Sequence, residues 1–134
     1  MVSVELAKQL RAAGLSWRPS QFDHFHIPDR GLDGRQFVIA DLTVDVQYLA
    51  DGIAAITFNG AVEWSLDYIL QQDVVWLPTE SQIRERVGDR LAALERHESG
   101  FTCLTGDGNR FTADTAADAY GLAVLHLLRN SAPV

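Results

Sequence analysis

The stretch TVDVQYL, residues 43 to 49, constrains this chain most, because Val44, Val46 and Tyr48 alternate strictly with Thr43, Asp45 and Gln47. A period of two sends successive side chains to opposite faces, so such a segment reads as a strand with one buried face and one wet face. Its partners follow from the dipeptides Asp51-Gly52 and Asn59-Gly60, both suited to the left-handed backbone of hairpin loops. A two-residue turn at Asp51-Gly52 would set Gln47 opposite Ile56 and mix polar with apolar on one face. A three-residue loop over Ala50, Asp51 and Gly52 instead pairs Val46 with Ile56 and Val44 with Phe58, leaving Asp45 facing Thr57 in solvent. The same logic at Asn59-Gly60 pairs Ile56 with Val62 and Ala54 with Trp64. A three-stranded meander is therefore predicted at about 43 to 49, 53 to 58 and 61 to 64.

Helices are signalled before and after this core. Ser3 suits the cap of a helix from about Val4 to Ala13, with Val4, Leu6, Leu10 and Ala13 on one stripe and Gly14 as a left-handed stop. Pro19 disfavours helix at Arg18, so Leu15 to Pro19 should be extended. In FDHFHIP (22 to 28) Phe25 and Ile27 then point one way, and Phe22, His24 and His26 the other. Asp29 to Arg35 should turn before an apolar strand from Phe37 to Ala40. Ser65 suits the cap of a short helix carrying Leu66, Ile69 and Leu70, and Val74 to Leu77 reads as a buried strand stopped at Pro78.

Thr79 and Gln82 form a capping-box pattern opening a helix with Ile83 and Val87 on its apolar stripe. Helical propensity would let it continue to His97, but Gly88 and Asp89 argue for a break. Residues 90 to 96 (RLAALER) are then a strand, hairpinned through His97 to Gly100 onto Phe101 to Leu104. The turn Gly106 to Asn109 should lead to a short strand at Arg110 to Thr112, and Asp114 or Thr115 should cap a last helix running to about Leu128. The expected fold is a single α+β domain over residues 1 to 134, a largely antiparallel sheet with N-terminal, central and C-terminal helices packed on it.

A chain of 134 residues can bury a core without a staple, and its single cysteine, Cys103, excludes an internal disulfide framework and a cysteine-rich zinc site. Glu5, Lys8 and Arg11 interrupt the first apolar segment, which therefore is not a signal peptide, and no apolar run approaches the ~20 residues of a membrane span. A soluble cytoplasmic protein is expected. Eighteen acidic against eleven basic residues give a net charge of -7, which repels a phosphate backbone and argues against nucleic acid as a partner.

The stretches LSWRP (15 to 19), IPDRGLD (27 to 33), FNGAVEWSLD (58 to 67), VVWLPTESQIRERVGDR (74 to 90) and AYGLAVLHLL (119 to 128) resemble a family of short, acidic bacterial proteins. The family is uncharacterised, and some members carry a pilus-assembly label. The resemblance implies paired strands after the capping-box helix and supplies no catalytic residues. A pilus-assembly ATPase would need a phosphate-binding loop, and the one lysine here, Lys8, lies in a helix without a glycine-rich approach.

No cofactor motif or catalytic constellation is legible. His24 and His26 on one strand face can both reach a metal, but zinc or iron needs a third ligand, and neither His97, His126 nor Cys103 stands at a spacing that marks it. Their plainer role is as a polar or partly covered strand face. Asp41, Asp45 and Glu63 belong to the polar face of the meander, where a solvated surface or an acidic binding face for another protein are the two readings. Core packing accounts for Trp17, Trp64 and Trp76. The expected function is a small non-catalytic module that binds another protein, an immunity or inhibitor role against a basic toxin being one form of it. The alternative is a metal-dependent enzyme or binder using His24 and His26.

Overall fold

The computed structural model describes residues 1–28, 35–39 and 73–134, and the backbone alone for 44–48, 54–58 and 68–70. In chain order the described elements are α1 (Val4–Ala12), β1 (His24–His26), β2 (Phe37–Val38), β3 (Val44–Tyr48), β4 (Ala54–Phe58), β5 (Tyr68–Leu70), β6 (Val75–Leu77), α2 (Glu80–Val87), β7 (Leu91–His97), β8 (Gly100–Thr105), β9 (Arg110–Ala113) and α3 (Ala116–Arg129). This is the α+β fold that the sequence predicts. The residues group into two compact units, one formed by Met1–Ser16 together with Leu77–Val134, the other by Trp17–Trp76.

The first unit is built on α3. Thr115 caps it by accepting from Asp118 N at 3.2 Å, and Ala119, Tyr120, Ala123 and Val124 are all buried along it. Helix α1, capped where Ser3 Oγ accepts from Leu6 N at 3.4 Å, buries Leu6, Ala7 and Leu10. The two helices approach closely at Gly121, where a Cβ would stand 2.7 Å from Leu6 Cδ2. Only a residue without a side chain leaves that Leu6 methyl its place.

Helix α2 carries the full capping box, with Gln82 N donating to Thr79 Oγ1 at 3.2 Å and Thr79 N donating to Gln82 Oε1 at 2.9 Å. Thr79→Ala is expected to lower stability by about 1 kcal/mol, read as a shift of the urea unfolding midpoint. Gly88, at φ 63, stops α2 in a conformation that other residues avoid, and a single 3-10 turn, Gly88–Arg90, leads into β7.

Strands β7, β8 and β9 form an antiparallel sheet in that order. Leu91 lies opposite Thr105 and Leu94 opposite Cys103, with a bulge between Leu91 and Ala93. The bulge inserts one residue, so two leucines three apart meet the same side of the sheet. Pairing of Cys103 with Phe111, and contact of the Phe111 ring with His126 at 5.3 Å, place α3 on that side.

Strands β2, β1 and β6 form one sheet in that order, its residues belonging to the second unit except Leu77, the last of β6. Phe25 and Ile27 are fully buried, as their shared face requires. The second sheet orders β3, β4 and β5, and β3 meets β4 in the expected register, Val44 opposite Phe58 and Val46 opposite Ile56.

The third strand of this sheet corrects the sequence-based expectation. It is Tyr68–Leu70, with Ile69 opposite Ile56, so the position expected for Val62 is taken. The short helix expected on Leu66, Ile69 and Leu70 is replaced by strand over Tyr68–Leu70. Tyr and Ile favour the pleated backbone, and Ile69 gives Ile56 an apolar opposite number as well as Val62 would. Residues 61 to 64 themselves, with Trp64, lie outside the described residues.

Candidate functional site

His24 and His26 lie on β1, whose backbone pairs with β2 through His24 opposite Val38 and Phe25 opposite Phe37. His26 is only 3% exposed, and its Nδ1 lies 3.5 Å from the carbonyl oxygen of Arg35. Of the two readings of this face, polar or partly covered, His26 shows the covered one and His24 is half-buried. Among the described residues no group of three or more His, Cys, Asp or Glu side chains is arranged to hold a metal ion.

The strongest polar constellation beside β1 centres on Asp23, which sequence reasoning passed over. It is 4% exposed, and its Oδ2 accepts from Trp17 Nε1 at 2.9 Å, Ser20 N at 3.1 Å and Ser20 Oγ at 3.1 Å. Its backbone joins in, its carbonyl accepting from Ile39 N at 2.9 Å. Asp23 therefore fastens the Ser20 to Phe22 turn to β1 and orients the Trp17 indole. Trp17 in turn lies parallel to Trp76 at a centroid distance of 6.1 Å, which confirms packing as the job of both rings. Phe22 leaves this turn at φ 72 with 68% of its surface exposed.

The first unit carries a second constellation on the sheet face away from α3. Glu95 accepts from Arg110 Nη2 at 2.8 Å, and its Oε2 is 3.8 Å from His97 Nε2. The same His97 nitrogen is 2.9 Å from Thr102 Oγ1, which meets Thr112 Oγ1 at 2.7 Å. Hydroxyl, imidazole and carboxylate invite comparison with a catalytic triad, and the geometry rejects it. Thr102 is 2% exposed, and Glu95 approaches the nitrogen that already faces Thr102 instead of orienting the ring from Nδ1. The arrangement is a cross-strand polar ladder: Glu95 stands opposite Thr102, and Thr102 opposite Thr112. Its outer members stay open, with Glu95, His97 and Arg110 side chains 43%, 40% and 54% exposed.

Cys103 is fully buried on the α3 side, and burial raises its thiol pKa from the ordinary value of 9.0. A nucleophile needs the opposite shift. The thiol is expected to resist a disulfide reagent in the native protein and to react once in denaturant, followed by release of the reagent's chromophore. Because the folded pKa is raised, the associated stability is present below pH 9.0 and lost as pH climbs toward the folded value.

A pocket of about 370 Å³ opens where the β8-β9 turn meets the end of α3, lined by Arg90, Thr105, Gly106, Asp107 and Leu127. Asp107 Oδ1 accepts from Thr105 Oγ1 at 2.5 Å and Asn109 N at 3.1 Å, and its Oδ2 accepts from Asn109 Nδ2 at 3.0 Å. These donors, Thr105 first, hold the carboxyl below its ordinary pKa of 3.8, so it stays ionised until pH falls through that lowered value.

Asp41 and Glu63 lie outside the described residues, as does the Asp45 side chain, whose backbone stands opposite Thr57. No helix of the described residues is long and apolar enough to cross a membrane. Comparison of the chain with models of known families, with curated proteins and with solved structures finds no match.

Proposed function

We propose that the chain is a small, non-catalytic, cytoplasmic protein-interaction module of the family its sequence resembles, and that the open face of β7, β8 and β9 recognises the partner. The observation that carries this reading is the pre-set charge pattern of that face. Glu95, Arg110 and His97 are half-exposed, yet each is anchored through short contacts to its neighbours. A surface ion pair of this kind adds only ~0 to 1 kcal/mol to stability. Its larger effect is on the potential that a docking surface meets, which governs partner choice and association rate.

The acidic set Asp41, Asp45 and Glu63 is proposed as a further contact for a basic partner, in keeping with a net charge of -7. Affinity capture from the native host tests both. The expected result is one partner retained by the wild type, lost from a Glu95→Lys/Arg110→Glu variant that still folds, and weakened by Asp45→Lys. Equal capture by all three proteins would overturn the assignment of the face. Stoichiometric zinc in the purified protein, lost in His24→Ala/His26→Ala, would overturn the non-catalytic reading itself.

A further inference from the structure

The pocket beside the β8-β9 turn presents two opposite charges and one apolar wall. Arg90 donates from Nη2 to the backbone carbonyl of Pro133 at 2.9 Å, and among the described residues no carboxylate lies within ion-pair distance of it. A guanidinium held by one neutral acceptor has N–H donors to spare, and its bonds to a carboxylate are shorter and about twice as strong as those to a carbonyl. Asp107, which also lines the pocket, is fixed by Thr105 and Asn109, and its Oδ2 takes a single donor. Acceptor capacity is left there for a cation. Leu127 supplies an apolar wall, and Gly106 leaves the backbone approachable, its N–H already committed to Arg90 O at 2.8 Å.

An anion alone would meet Asp107 unfavourably, and a cation alone would meet Arg90. A molecule carrying both charges on groups bonded to one carbon satisfies both. We propose that the pocket lined by Arg90, Asp107 and Leu127 is a binding site for a small zwitterion of the free amino-acid class, its carboxylate on Arg90, its ammonium on Asp107 and an aliphatic side chain against Leu127. The volume of about 370 Å³ lies in the range of roughly 300 to 1,000 Å³ common to small-molecule sites. Binding exchanges the Arg90 to Pro133 contact for a charge-assisted one. The site is independent of the proposed protein-binding face.

Titration of the ¹⁵N-labelled full chain with L-leucine tests this. The expected result is saturable shifts of the Gly106, Asp107 and Leu127 amides at millimolar ligand. Isocaproate and isoamylamine, each carrying one of the two charges, should bind at least about tenfold more weakly, as should L-leucine to Arg90→Gln. Arg90→Lys retains the charge and should keep part of the affinity. Absence of saturable shifts in the wild type, equal binding of isocaproate, or unchanged binding to Arg90→Gln with a native spectrum would each overturn the assignment.

Discussion

Replacing Gly100 by alanine is expected to cost at least about 3 kcal/mol and to disrupt the β7-β8-β9 sheet. Gly100 opens β8 at φ 138, a region that residues with a Cβ rarely enter. The added methyl would overlap the carbonyl oxygen of Ala113 and stand 3.1 Å from the Ala113 carbonyl carbon and 3.2 Å from Asp114 Cα. All of these are backbone atoms, so no rotamer change relieves the overlap. Phe101 is paired with Ala113, and relief therefore requires β9 to move away from β8 just where the chain enters α3. Urea unfolding followed by circular dichroism gives the measurement. A loss below about 1 kcal/mol would mean that β9 is free to slide, against the close packing of the hairpin.

Asp23→Ala is expected to destabilise the second unit by about 3 kcal/mol, since hydrogen bonds to a charged group are worth roughly 1.5 to 3 kcal/mol each and are not additive. The carboxylate is 4% exposed and takes donors from Trp17 Nε1, Ser20 N and Ser20 Oγ. Alanine removes the acceptor and offers these donors nothing in its place. Asp23→Asn keeps an acceptor oxygen without the charge and should fall between the two. Tryptophan emission reports the change, because Trp17 loses its Asp23 contact and its stacking on Trp76 loosens. An unchanged emission spectrum and midpoint in Asp23→Ala would show that Asp23 does not hold the Trp17 side chain.

The contrast between these residues explains what could be read from the chain. Local rules worked where a signal sits within a few residues: Ser3, Thr79 with Gln82, and Thr115 cap their helices, and the alternation of Val44, Val46 and Tyr48 set the β3-β4 register. The choice of strand for Leu91–His97 is correct, although Leu91 and Leu94 are spaced as on a helix; a bulge absorbs the extra residue, and nothing in the sequence marks it. Strand β5 lies later in the chain than pairing logic predicts, because that logic favours the nearest apolar partner and Val62 precedes Ile69. Asp23 was hidden for another reason. Its partners are an indole six residues back and a turn serine, neither of which forms a motif, while the adjacent histidines drew the chemistry. The Arg90 and Asp107 pocket assembles residues from a 3-10 turn, a hairpin turn and a helix end, a juxtaposition only the tertiary fold creates.

The first unit is made of two pieces separated by residues 17 to 76, and Ser3 N donates to Asp118 Oδ1 at 2.8 Å across 115 positions. During synthesis α1 is therefore complete long before its partner α3 exists, and its apolar stripe of Leu6, Ala7 and Leu10 has nothing of the first unit to cover it. The Trp17–Trp76 unit is continuous in sequence, so it can condense on the ribosome while α1 waits. Vectorial translation thus favours one order of assembly, the inserted segment before the enclosing unit, with the apolar stripe of α1 uncovered by α3 until the last helix is made.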